Sequence, residues 1–78
     1  MTHKELIEAI VRAITGPDAE VEVNEVAGAT SVIYEIGVQK QHLGKIIGKK
    51  GVTLEAIRTI IKSCQHGKML VGVQPVEK

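Results

Sequence analysis

Gly44-Lys45-Ile46-Ile47-Gly48-Lys49-Lys50-Gly51-Val52-Thr53-Leu54-Glu55-Ala56-Ile57 is the stretch that decides how this chain folds. Leu43, Ile46 and Ile47 stand at helical spacing over barely two turns before Gly48 breaks the run. Beyond Gly51 a longer apolar stripe opens, made of Leu54, Ile57, Ile61 and Cys64 with Ile60 beside it. A short helix and a long one are therefore joined by Gly48, Lys49, Lys50 and Gly51. The two glycines permit a sharp turn that a Cβ would penalise, and they let a ligand backbone come close. The N–H groups of the second helix point out of that turn with the positive end of its dipole, which favours an anion. Lys49 and Lys50 add two mobile ammonium groups, so the junction reads as a phosphate clamp. Judged on four residues alone it reads more readily as a tight, soluble connection, because short glycine matches are common.

Working outward, the N-terminal side predicts a helix from about Thr2 to Thr15. Thr2-His3-Lys4-Glu5 has capping-box spacing, and Leu6, Ile7, Ile10, Val11 and Ile14 form one apolar stripe that Gly16-Pro17 stops. Two strands follow. Val21 and Val23 alternate with Glu20 and Glu22, and Val32, Tyr34, Ile36 and Val38 alternate with Ser31, Ile33, Glu35 and Gly37. The connection through Ala27-Gly28-Ala29-Thr30 is short enough for a hairpin, and Val26, out of phase, predicts a bulge or strand end near Asn24. On the C-terminal side Gln65-His66-Gly67 ends the long helix, and Met69, Val71 and Val73 form a last strand that stops before Pro75. The order helix-strand-strand-helix-helix-strand predicts an α+β domain, a three-stranded sheet with the helices packed on one face. All 78 residues belong to that one unit.

Composition bounds the rest. Apolar residues make up 44% of the chain, yet there is no Phe, no Trp and a single Tyr. The core is therefore thin and aliphatic, and a domain this small gains from a partner, so dimerisation is expected. A lone Cys64 excludes an internal disulfide and fits a reducing compartment. The first residues lack the pattern of a secretion signal, and no stretch approaches the ~20 apolar residues of a membrane span, which predicts a soluble cytoplasmic protein.

Net charge is only +1, but it is unevenly spread. Residues 40–62 hold six basic side chains (Lys40, Lys45, Lys49, Lys50, Arg58, Lys62) against Glu55 alone, a local +5; the remainder holds four basic and eight acidic, −4. A basic middle on an acidic chain suggests one face for a polyanion. A lysine-rich solvated face is the plain alternative.

Other chemistries fit poorly. A nucleotide-binding P-loop needs four residues between its glycines and a hydroxyl after its lysine, whereas three separate Gly44 from Gly48 and Lys50 follows Lys49. No catalytic role is expected: the sole Asp, Asp18, sits at the Gly16-Pro17 break, and His3, His42 and His66 are scattered along the chain without a Ser or Cys partner at a motif spacing. Cys64 and His66 would share a metal only by recruiting distant ligands, so a buried thiol beside a loop imidazole is expected, with no cofactor or metal. Folds that stack bases on aromatic rings are disfavoured because Tyr34 is the only ring of that kind.

Ile46-Ile47-Gly48-Lys49-Lys50-Gly51, followed by Leu54 and Ile57, resembles the signature of KH domains, and the element order resembles their type II, prokaryotic form. Val21-Glu22-Val23-Asn24-Glu25, Leu43-Gly44-Lys45-Ile46-Ile47-Gly48 and Ala56-Ile57-Arg58-Thr59 are similar to the bacterial KhpA family, and the likeness covers almost the whole chain. What the resemblance implies is a cytoplasmic RNA-binding protein and RNA chaperone that pairs with a larger KH-containing protein, KhpB, and is linked to cell-shape and cell-wall homeostasis. It implies single-stranded RNA as the partner, with no membrane or small-molecule substrate. KH domains clamp about four nucleotides with the glycine loop while bases lie in a neighbouring groove. Carried over, Gly48, Lys49, Lys50 and Gly51 would hold phosphates, Ile47, Leu54 and Val38 would line the groove, and Lys45 and Arg58 would stand at its edge. Ile47 and Leu54 equally suit plain core, and Arg58 equally suits an ion pair with Glu55 three residues away. The competing reading is a protein-interaction module whose surface makes a homodimer or heterodimer.

Overall fold

Thr2 caps the first helix. In the computed structural model, which describes residues 1–64 and 66–78, the Glu5 N–H donates to the Thr2 hydroxyl at 3.1 Å and the Thr2 N–H donates to the Glu5 carboxylate at 2.8 Å. Two orphan donors are thereby satisfied reciprocally, as the spacing predicts. Helix α1 (His3–Thr15) runs from this cap to Gly16, whose φ of 96° ends it. Its stripe buries Ile7 and Val11 completely.

Strands β1 (Val21–Ala27) and β2 (Ser31–Val38) pair as an antiparallel hairpin, closed where the Gly28 N–H donates to the Ser31 carbonyl at 2.7 Å. The expected bulge near Asn24 is not there: the register runs one to one from Val21↔Val38 through Ala27↔Val32. Val26 breaks the apolar phase because it belongs to the other face of the sheet, opposite Ile33, where both are exposed. Helix α2 (Lys40–Ile47) and helix α3 (Val52–Ser63) follow, joined by Gly48 and a single 3-10 turn, Lys49–Gly51. Of the expected helix stop, Gln65 lies outside the described residues; α3 itself closes at Ser63, where the Cys64 N–H donates to the Ile61 carbonyl.

Strand β3 (Leu70–Glu77) pairs parallel to β2, so the sheet is mixed and its order is β1-β2-β3. Contrary to expectation it does not stop before Pro75 but continues to Glu77. The reason is position. The Leu70 N–H donates to the carbonyl of Thr30, just before β2, and the Lys78 N–H to that of Val38 at its end, so by alternation the odd residues of β3 present their backbone to the free edge, where the missing N–H of Pro75 costs no ladder bond.

The helices cover one face of this sheet. Val23, Tyr34, Ile36, Val38 and Val73 from the strands meet Ile7, Ile46, Ile57 and Ile61 from the helices in a single aliphatic core, each such side chain contributing roughly 1.5–3 kcal/mol when fully buried. The other face presents Glu22, Val26, Ile33, Leu70 and Gln74 to solvent.

Candidate nucleic-acid interface

The junction between α2 and α3 is built from backbone conformations that side chains resist. Gly48 has φ 77° and ψ 173°, a region essentially restricted to glycine, and Gly51 is left-handed at φ 77° and ψ 11°. Between them Lys50 is also left-handed, at φ 58° and ψ 23°, the one described non-glycine residue with positive φ. The turn is held by the Gly51 N–H donating to the Gly48 carbonyl at 3.1 Å, while the Gly48 N–H closes α2 on the Gly44 carbonyl at 2.8 Å. Gly48 is also demanded by packing, since a Cβ there would overlap Thr53 on the first turn of α3. Gly51 has open space around its Cα.

This geometry leaves the start of α3 exposed to an anion. No side chain caps it, its N-cap being Gly51. Glu55, the acidic residue of its first turn, is occupied by Arg58, whose Nη1 donates to it at 2.5 Å. Lys45, Lys49 and Lys50 are exposed, and among the described residues none of them forms an ion pair. An uncapped helix N terminus behind a tight turn, with three unneutralised ammonium groups around it, is an electropositive cradle.

The residues expected to line a groove separate by burial. Ile47 is 37% exposed and adjoins the turn, so it is available for contact. Leu54 is 7% exposed and Val38 fully buried; both belong to the core. Arg58 does two things at once. Its Nε donates to the Val73 carbonyl at 2.9 Å while Nη1 holds Glu55, so it ties α3 to the free edge of β3.

That tie borders a groove that no local sequence pattern marks. Between α3 and the β3 edge lies a cavity of about 190 Å³ lined by Arg58, Lys62 and residues Val71 to Gln74, with Ile33 at its far side. A second, of about 340 Å³, shares Lys62 and Val71 and continues toward His66 and Met69. The groove is thus walled by helix cations on one side and by a strand edge with free backbone groups on the other. Lys62 belongs to the basic segment, but no local pattern ties it to this groove, because its neighbours there come from a strand whose parallel pairing the sequence does not reveal.

At the far end of the groove, histidines spaced widely in sequence come together. The His3 and His66 rings lie 4.3 Å apart between centroids, and the Tyr34 hydroxyl is 3.4 Å from His3 Nδ1. His66 Nδ1–H donates to the Cys64 carbonyl at 2.9 Å. His3 and His66 are therefore not scattered, as their spacing suggested, although among the described residues no three His, Cys, Asp or Glu side chains converge as metal ligands would. Burial first, then the charges of Glu25 and Cys64, pushes the Tyr34 phenol above its ordinary value. Among the described residues no helix is long and apolar enough to cross a membrane.

Comparison with known proteins agrees with the fold. Residues 4–74 match the family model described as KhpA/KhpB, KH domain. Similar proteins include the RNA-binding protein KhpA of Clostridium perfringens, 43% identical over 73 residues that cover 90% of this chain and 97% of the relative. The RNA-binding protein KhpA of Caldanaerobacter subterraneus subsp. tengcongensis is 47% identical over 60 residues, covering 76% and 79% of the two chains. That of Chlamydia trachomatis serovar D is 45% identical over 60 residues, 77% of each. No solved structure matches.

Proposed function

The chain belongs to the KhpA/KhpB family of KH domains, and from that premise we propose that it binds single-stranded RNA by clamping the sugar-phosphate backbone with the turn from Gly48 to Gly51. The observation that carries this reading is the uncapped N terminus of α3, standing behind a left-handed turn that displays Lys49 and Lys50. Phosphate oxygens accept from the helix N–H groups and are neutralised by the lysines. Gly51, with nothing near its Cα, lets the strand approach. Ile47 and Lys45 flank the strand as it leaves the turn, and the groove between α3 and β3 takes the bases. A single groove of this kind reads few bases, so the backbone grip is largely indifferent to sequence. By family resemblance the role extends to RNA chaperoning or post-transcriptional regulation in the cytoplasm, alongside a larger KH-domain protein and tied to cell-shape and cell-wall homeostasis.

The second reading is a dimerisation module, and it is favoured by Val26 and Leu70, exposed by 52% and 73% on the uncovered face of the sheet. One experiment separates the two. Fluorescence anisotropy with a single-stranded RNA across a salt series should show Lys49→Asp with Lys50→Asp losing affinity and losing about 1.4 from the salt slope, since each phosphate contact on a single strand contributes about 0.7. An unchanged affinity and slope, in a variant whose circular dichroism matches the parent, would remove the clamp. Loss of self-association in the same variant would favour the dimerisation reading.

A further inference from the structure

Gly72 is hard to explain by the fold. It sits in the middle of β3, where glycine costs roughly 0.5–1 kcal/mol relative to alanine, and such a residue often marks a place where a ligand comes close. Its φ is not positive. Nor is it crowded: a Cβ built there would meet Ile33 Cγ1 at 3.5 Å, an ordinary contact, with no backbone atom nearby. Gly37, the other glycine inside a strand, is buried, and a Cβ built there would meet the Glu22 backbone carbonyl at 3.4 Å.

What the missing side chain does is open the groove. Gly72 pairs with Ile33 across the sheet, on the face away from the helices. Because Gly72 is bare, the cavity beside α3 continues over the β3 edge and reaches Ile33, one strand spacing further in. The resulting slot has a flat backbone floor at Gly72 and an apolar end wall at Ile33. The Gln74 amide, on the same face as Gly72, supplies both a donor and an acceptor at its side. At its mouth stands Lys62, exposed and without an ion pair among the described residues.

We propose that the floor at Gly72 and the wall at Ile33 form a base subsite that admits a purine of single-stranded RNA more favourably than a pyrimidine, with Lys62 on the adjoining phosphate. This rests on the RNA-binding reading and gives the otherwise sequence-tolerant clamp a preference. A flat aromatic ligand suits a slot with a bare backbone floor, and the cation at its mouth suits a base carried on a phosphodiester. A one-ring base entering from the β3 edge ends over Gly72; a two-ring base extends past it onto Ile33 and gains that apolar contact.

The test compares short oligoadenylate and oligouridylate in anisotropy titrations at one salt concentration. The parent should favour oligoadenylate. Gly72→Ala, whose Cβ covers Ile33 at ordinary contact distance, should lose fivefold or more for oligoadenylate and less than twofold for oligouridylate. Ile33→Ser, a change at a surface position, should narrow the preference in the same way and serves as the check if the first variant folds poorly. Lys49→Asp with Lys50→Asp should weaken both oligonucleotides alike. A parent without purine preference, or a Gly72→Ala that weakens both equally or neither, overturns the subsite and leaves the clamp standing. Loss of binding in no clamp variant overturns the clamp instead. A change in self-association without a change in RNA affinity assigns Ile33 to a protein contact and also overturns the subsite.

Discussion

On the β1 edge of the sheet Arg12 of α1 reaches the Val21 carbonyl at 3.5 Å, whereas on the β3 edge Arg58 of α3 reaches the Val73 carbonyl at 2.9 Å and is braced by Glu55 at 2.5 Å. Both arginines bridge a helix to a strand at the border of the sheet. Their surroundings are opposite in sign. Near Val21 stand Glu20 and Glu22, with Lys78 Nζ 3.8 Å and 3.7 Å from their carboxylates, and Glu25 follows on the same strand. Near Val73 stands Lys62, and the acid that accompanies Arg58 is consumed by it. A bare strand edge is chemically the same on either border; the side chains around it decide which one a polyanion meets. The β1 edge repels, and the β3 edge offers a groove with cations along its rim.

The most severe way to break this comparison is to reverse one charge on each border. Lys62→Glu should weaken RNA binding tenfold or more in anisotropy at low salt, because it replaces the proposed phosphate partner with a repelling group at the groove wall. Arg12→Glu makes the same formal change on the acidic border and should alter affinity less than twofold. Equal effects from the two would mean that overall charge, and not the groove, governs binding.

Stability sharpens the contrast further. Arg58→Ala removes a charge-assisted hydrogen bond to Val73 and leaves Glu55 alone, and bonds to charged groups are worth about 1.5–3 kcal/mol. Since the Arg58 side chain is 33% exposed, screening by solvent brings the expected loss to about 1–2 kcal/mol. Arg12→Ala, giving up a longer contact from an exposed side chain, should stay within about 0.5 kcal/mol. Urea denaturation of the two variants measures the difference, and Arg58→Lys should recover little, because an ammonium lacks the fork that meets the carbonyl and the carboxylate together.

Much of this border chemistry was hidden from local pattern, and the reasons are specific. The stripes of α1 and α3, the alternation of β2 and the glycine turn are short-range features, so Ile7, Val11, Ile36, Ile57 and Gly48 declare themselves along the chain. Val26 misled because alternation shows that a residue changes face but not that the second face also carries apolar groups. Pro75 misled because its tolerance depends on which side of β3 is free, a consequence of the parallel pairing with β2. The role of Arg58 was half visible: Glu55 lies three residues away, but the Val73 carbonyl lies fifteen away on another element. Lys62 and Gly72 share a cavity only because α3 and β3 lie side by side, and the meeting of His3 with His66 needs both ends of the chain in position.

If Arg12 contributes so little, something else must fix α1 against the β1 side, and its capping box is the candidate that pH can expose. Thr2→Ala should cost about 1 kcal/mol, the usual loss for an N-cap hydroxyl. The Glu5 half of the box carries a signature that an arginine tie lacks. Hydrogen bonds from the Thr2 backbone, then from its side chain, hold the Glu5 carboxyl below its ordinary value of 4.5. A lowered folded pKa means that the unfolded chain binds the proton first as pH falls, so the stabilisation is complete above the unfolded value and is lost on descending through the folded one. Parent and Glu5→Gln should therefore differ in thermal midpoint at neutral pH by the smallest margin of the effects considered, and the gap should close between pH 5 and pH 2. Arg12→Ala should show no such closure, since a guanidinium and a carbonyl do not titrate in that range. A gap for Glu5→Gln that persists unchanged at pH 2 would show that packing of the longer side chain, not the carboxylate of the box, anchors the start of α1.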